Sequence, residues 1–149
     1  MNINYFMNEA IKEANYAYNK NEVPVGGILV DIKTNEIIYR TYNKVNKENN
    51  AMYHCEIDLI MHSCKILSRK YLQDTVMFVT LEPCLMCASA ISEVHIDKLY
   101  FGAYDNKNGG IEKFKFQSKR EHIFKTDIYG GVMEKDCKAL IDNFFKKLR

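Results

Sequence analysis

Hydrophobic and polar positions change period several times along the 149-residue chain, and each change marks an element. Met7, Ala10, Ile11, Ala14, Ala17 and Tyr18 recur at helical spacing, so residues 5–19 read as an amphipathic helix. Pro24 then stops helical continuation. Gly27 to Val30 and Glu36 to Tyr42 are β-branched and aromatic runs on either side of Asp31-Ile32-Lys33-Thr34-Asn35, which reads as a hairpin loop. Polar Asn43 to Asn50 is a loop. Tyr53 to Arg69 reads as a second helix with Ile57, Ile60, Met61, Cys64 and Leu67 on its inner side. Thr75 to Leu81 is a continuous apolar run, as expected of a central strand. Cys84 to Glu93 returns to helix, Lys98 to Phe101 to strand, and Asn106 to Gly110 has turn chemistry. Glu134 to Leu148 closes the series as a helix with Cys137, Leu140, Ile141, Phe144, Phe145 and Leu148 at helical spacing. Helix, hairpin, helix, strand, helix, strand, helix predicts a layered α/β domain, one mixed sheet covered by helices. There is no repeat, low-complexity tract or linker, so residues 1–149 are expected to form a single domain.

Composition changes this picture little. The chain is 47% hydrophobic and 27% charged with a net charge of +2, ordinary for a globular protein and without a strong global field for nucleic acid. Any basic binding face must be local. No apolar run is long enough to cross a bilayer, and Met1 to Lys12 lacks the layout of a secretory signal. A reducing, cytoplasmic setting is expected. Five cysteines, an odd number, then point to thiols and metal rather than to a disulfide framework.

Two strings carry the chemistry: His54-Cys55-Glu56 and Pro83-Cys84-Leu85-Met86-Cys87. One imidazole and two thiolates give a tetrahedral zinc ion an open fourth position, the catalytic arrangement. Cys84 and Cys87, three apart at the start of a predicted helix, share a face and sit in its positive end field, with Pro83 suited to the first helical position. His54 and Glu56 would diverge in mid-helix; at a helix end both can flank one metal. A lone C-x-x-C also suits a structural half-site or a redox pair. A zinc ribbon needs a second C-x-x-C, which the chain lacks, and a redox pair does not need the H-x-E. The expected assignment is therefore His54, Cys84 and Cys87 as zinc ligands and Glu56 as the catalytic proton carrier. Water made acidic by the metal attacks a ring carbon bearing an exocyclic amine, C4 of cytosine or C6 of adenine. His62, His95 and His122 read as structural histidines, and Cys55, Cys64 and Cys137 as small buried side chains.

The chain resembles the bacterial tRNA-specific adenosine deaminases of the cytidine/deoxycytidylate deaminase superfamily. The resemblance rests on Glu22-Val23-Pro24-Val25-Gly26, Asn43, His54-Cys55-Glu56, Thr80 to Cys87, Phe101 to Gly109 and the stretch from Asp136-Cys137 to Phe144-Phe145. It implies a three-layer α/β/α cytidine-deaminase-like fold, a Zn²⁺ cofactor and conversion of a wobble adenosine to inosine. It also implies that Val23 packs on the target base, that Asn43 hydrogen-bonds the nucleoside and that the backbone at Cys55 faces the base edge. Asp105, Lys107, Phe144 and Phe145 are implied to grip a tRNA anticodon stem-loop, in a homodimer. The Lys113-Phe114-Lys115-Phe116 run, with Lys119 and Arg120, alternates cation and aromatic as an RNA face does, and as a half-exposed strand does. Three positions depart from the family pattern: Asn50-Ala51-Met52-Tyr53 replaces Asp-Pro-Thr-Ala, Cys55 replaces Ala, and Tyr42 replaces Trp. None is a predicted ligand or the proton carrier. Two other functions compete, a deaminase of a free base or nucleotide of the guanine or cytosine type, and a non-catalytic zinc module that binds RNA. An unliganded Glu56 argues against the last.

Overall fold

The computed structural model describes residues 1–117 and 123–149. The elements run α1 (Ile3–Asn19), β1 (Gly26–Asp31), β2 (Ile37–Tyr42), α2 (Cys55–Leu67), β3 (Thr75–Leu81), α3 (Leu85–Glu93), β4 (Lys98–Ala103), α4 (Ile111–Gln117), β5 (Asp127–Tyr129) and α5 (Glu134–Lys147). Among the described residues, five strands form one sheet in the order β2-β1-β3-β4-β5. β1 pairs antiparallel with β2 and β3, whereas β3–β4 and β4–β5 are parallel. The sheet is mixed, as the alternation of hairpin and strand–helix–strand segments predicts.

Side chains alternate across β1 and β3. Leu29, Met77 and Val79 face a core shared with Leu59 of α2, Ala88 and Ile91 of α3 and Ile111 of α4. Ile28, Val30, Val76 and Phe78 face the other core, with Phe6, Met7 and Ala10 of α1 and Cys137 of α5. The result is three layers, the sheet between two helical faces. α1 lies close on the sheet because Gly26 has no side chain: a Cβ there would come within 2.2 Å of the Ala14 nitrogen and 2.3 Å of the Ala10 oxygen. Among the described residues, no helix is long and apolar enough to cross a membrane.

Four expectations need correction. α2 buries Cys55, Glu56, Asp58, Leu59, Ile60 and Ser63, while Met61 is 53% exposed. The buried face is rotated away from the purely apolar stripe, because polar Glu56 and Asp58 must face inward for the contacts described below. α3 begins at Leu85, with Cys84 as its N-cap, so Pro83 precedes the cap rather than filling the first helical position. α4 and β5 have no counterpart in the sequence reading. The Lys113–Phe116 run lies in helix α4 and not in a strand, with Phe114 buried and Lys113 exposed. Lys119, Arg120 and His122 lie outside the described residues.

Candidate active site

Two helix starts meet at the floor of one cleft. β3 leaves the sheet at Leu81 and passes through Glu82-Pro83 into α3, placing Cys84 at the N-cap and Cys87 in the first turn. His54 is the N-cap of α2, with an extended backbone (φ −68°, ψ 153°), and Glu56 is the second residue of that helix. An extended N-cap turns its side chain past the helix end. His54 and Glu56 therefore converge, although residues two apart in mid-helix would not.

The donor atoms of His54, Cys84 and Cys87 lie within 4.8 Å of one another. His54 Nδ1 is 3.7 Å from Cys84 Sγ and 3.6 Å from Cys87 Sγ. Cys87 Sγ lies 3.4 Å from Glu56 Oε2, which puts the carboxylate at the edge of the donor triangle. Glu56 is 4% exposed, and burial raises its pKa above the ordinary carboxyl range. The two sulfurs do not ionise alike. A hydrogen bond from Cys87 brings Cys84 down to about 4, while donating that bond and being buried push Cys87 up. The hydrogen bond to Cys84 raises the His54 pKa. An imidazole and two sulfurs with their donor atoms within 4.8 Å of one another are a fit donor set for a divalent cation, which displaces the remaining thiol proton on binding both sulfurs. One imidazole and two sulfurs, with a carboxylate beside them, match a zinc centre with one position left open. These residues could hold Zn²⁺.

The cleft above this floor has a volume of about 1230 Å³, beyond the ~300–1,000 Å³ of ordinary small-molecule pockets. Val23, Asn43, Cys55, Asp105, Lys107 and Phe145 all contribute to its wall. Asn43 is buried, its N–H donating to the Val25 carbonyl at 2.9 Å and its Nδ2 to the Val23 carbonyl at 3.4 Å. Asp105 Oδ1 accepts the backbone N–H groups of Lys107 at 3.1 Å and Asn108 at 3.0 Å, so it shapes its own loop. Lys107 and Phe145 are exposed. Phe144 is not on the wall. It is buried at 4% exposure, edge-on to Tyr18 and to Phe145.

The departures from the family pattern fall in quiet places. Cys55 Sγ donates to the Thr41 carbonyl at 3.5 Å, away from the donor triangle, and burial pushes its pKa well up. It is neither a fourth ligand nor a reactive thiolate. Of Asn50 to Tyr53, only Ala51 reaches the cleft. The turn closes on itself, with Asn50 Oδ1 accepting the Met52 N–H at 2.9 Å and His54 N–H donating to the Met52 carbonyl at 2.8 Å. His62 stacks on Tyr39, and His95 stacks between Tyr71 and Phe124.

Sequence reasoning gave no role to two buried or half-buried acids that hold the rims. Glu22 accepts the N–H groups of Asn46 at 2.9 Å and Lys47 at 2.7 Å. Glu82 accepts those of Asp105 at 3.1 Å and Ile111 at 3.4 Å. Each carboxylate fixes a loop by backbone bonds far away in sequence, which no local spacing reveals. Tyr104, Lys138, Ile141, Lys146 and Arg149 also line the cleft.

The family described as the cytidine and deoxycytidylate deaminase zinc-binding region matches residues 1–103. A tRNA-specific adenosine deaminase from Rickettsia bellii (strain RML369-C) is 42% identical over 144 residues, covering 96% of this chain and 99% of that protein. A solved structure from work on A-to-I editing by tRNA:A34 deaminases at the wobble position of transfer RNA superposes with a TM-score of 0.85 at 36% identity, covering 91% of this chain and 98% of that one. A guanine deaminase from Nitrosomonas europaea shares the fold alone, with a TM-score of 0.82 at 14% identity over 95% of this chain and 83% of that one. With two thirds of its length matched by the zinc-binding deaminase family and nearly all of it by a relative at 42% identity, the chain belongs to the cytidine and deoxycytidylate deaminase family, in its tRNA-specific adenosine deaminase branch.

Proposed function

We propose that this protein deaminates the wobble adenosine of a tRNA anticodon, consuming water, leaving inosine in the anticodon and releasing ammonia. The observation that carries the reading is the meeting of His54, Cys84, Cys87 and Glu56 at the floor of a cleft wide enough to admit a flipped nucleotide with its neighbours. His54, Cys84 and Cys87 would hold the Zn²⁺. When bound, the metal supplies a water acidic enough to attack at neutral pH. The remaining work falls to the chain. Glu56 takes one water proton as oxygen adds to C6 and passes it to the ring nitrogen; it then takes the second proton from that oxygen and delivers it to the exocyclic amine as the C–N bond breaks, so that the oxygen becomes the carbonyl and ammonia leaves. Its burial keeps bulk water from competing for that proton.

Val23 offers the apolar wall against which the base packs, and the Asn43 amide orients the nucleoside. The backbone at Cys55, between His54 and Glu56, lies beside the base edge. Asp105 shapes the loop that presents Lys107 to the anticodon phosphates. Phe145 offers a stacking face at the rim, with Phe144 as its support. The protein would act as a homodimer. A reducing cytoplasm, where tRNA is found, suits a centre that depends on two thiolates.

The test is direct. Zinc-loaded protein is incubated with an anticodon stem-loop bearing a wobble adenosine and, separately, with guanine and cytosine. Inosine in the stem-loop with inert free bases is expected. Turnover of a free base beside an unchanged stem-loop would replace this reading with that of a free-base deaminase.

A further inference from the structure

Asp58 is a buried charge that the proposed chemistry does not use. It is 1% exposed, and its N–H closes the first turn of α2 on the His54 carbonyl at 3.1 Å. Among the described residues, three side chains converge on its carboxylate. Thr41 Oγ1 donates to Oδ2 at 2.5 Å, and Lys44 Nζ donates to the same oxygen at 3.2 Å. His62 Nδ1 lies 2.7 Å from Oδ1, which has that contact and no well-directed hydrogen bond. Burial lowers the pKa of Lys44, but the charge and hydrogen bond of Asp58 outweigh it and raise it overall.

The partners bracket Asn43. Thr41 lies two residues before it at the end of β2 and Lys44 one residue after it. A further tie runs the other way, from the Cys55 thiol to the Thr41 carbonyl at 3.5 Å. The chain segment carrying Asn43 is thus fastened on both sides to the helix start carrying His54 and Glu56. Burying a carboxylate is expensive, and its best-attested return is fixed registry between the elements it joins.

We infer that Asp58 is a positioning residue: through Thr41 and Lys44 it sets the distance between the Asn43 amide and the Glu56 carboxylate. This rests on the functional reading above, in which Asn43 orients the nucleoside and Glu56 moves the proton. The Asp58 carboxylate meets none of the metal-ligand side chains; its contacts run to Thr41 and Lys44 on either side of Asn43, and to His62.

A double-mutant cycle tests it. Asp58→Asn keeps the shape and an acceptor for Thr41 but removes the charge that holds Lys44. Thr41→Val removes the hydroxyl alone. Both are expected to retain full zinc content. Asp58→Asn should lower kcat/KM for the wobble-adenosine stem-loop about tenfold, and Thr41→Val by less. Placed in an Asn43→Ala background, Asp58→Asn should add less than about a twofold loss, since the amide it positions is already gone. A merely stabilising Asp58 would lower the melting temperature but leave the two losses to multiply in full, and that result overturns the inference. Wild-type kcat/KM in Asp58→Asn overturns it too. If Asp58→Asn does not fold, Thr41→Val carries the same cycle. A wild type that turns over a free base but not the stem-loop would sink the functional reading alone, and the cycle would then be read on that base.

Discussion

Glu56 and Cys87 share one contact, 3.4 Å between oxygen and sulfur, yet their loss should have different consequences. On the proposed mechanism Glu56→Ala removes the proton carrier and leaves the three proposed zinc donors in place. It should keep one zinc per chain by elemental analysis and lose activity by a factor of about 10²–10⁴. Activity within a few-fold of wild type would mean that another group moves the proton. Cys87→Ala removes a donor and should lose the metal; a full zinc complement would contradict the ligand set. The grouping of these residues with His54 and Cys84 was legible in the sequence, because the proposed chemistry needs particular residue types at local spacings. Glu22, Glu82 and Asp58 were not legible, because their partners sit far away in sequence and an acid in an amphipathic helix reads as a solvated face. Phe144 was only half legible: its period along α5 marked it as apolar, but period alone does not separate a residue on the cleft wall from its neighbour beneath.

The elements bring the site together by where they begin and by what lets them approach. Gly26→Ala would drive a Cβ into the backbone of α1 at Ala10 and Ala14. Such overpacking against backbone should cost about 3 kcal/mol or more, read by denaturant unfolding. Wild-type stability would mean that α1 shifts freely. α1 is also tied to β2 by Glu9, which accepts from Lys12 at 2.6 Å and from Arg40 at 2.9 Å. The Lys12 hydrogen bond, with that of Arg40, holds the Glu9 pKa below its ordinary 4.5. Its stabilisation is therefore complete above that value and fades as pH falls through the lowered one. Glu9→Gln should cost about 1 kcal/mol at neutral pH, since both cations are partly solvated. The gap between wild type and variant should close in acid; a gap that widens in acid would reverse the assignment. The long periodic elements, α1, β3 and α5, were readable because packing repeats along them. β5 has three residues and α4 seven, too few for a period to emerge, and both follow the turn after β4.

Taken whole, the molecule places its chemistry at the carboxyl ends of β3 and β4, where Leu81 and Ala103 border the cleft and parallel strands open their connections to one side. The loops after these strands, the hairpin side at Asn43 and the end of α5 close around the same space. A homodimer would show in sedimentation equilibrium as twice the chain mass, and a monomer at micromolar concentration would refute it. The fold class followed from the order of elements, while the substrate depended on strings spread from Glu22 to Phe145 that meet only once the sheet is folded. The most direct measurement maps inosine along a full tRNA transcript carrying a wobble adenosine, after incubation with zinc-loaded wild-type protein. Inosine at that one adenosine, with one ammonia released for each, is the predicted result; a transcript left unchanged by protein holding its full complement of zinc would contradict the account.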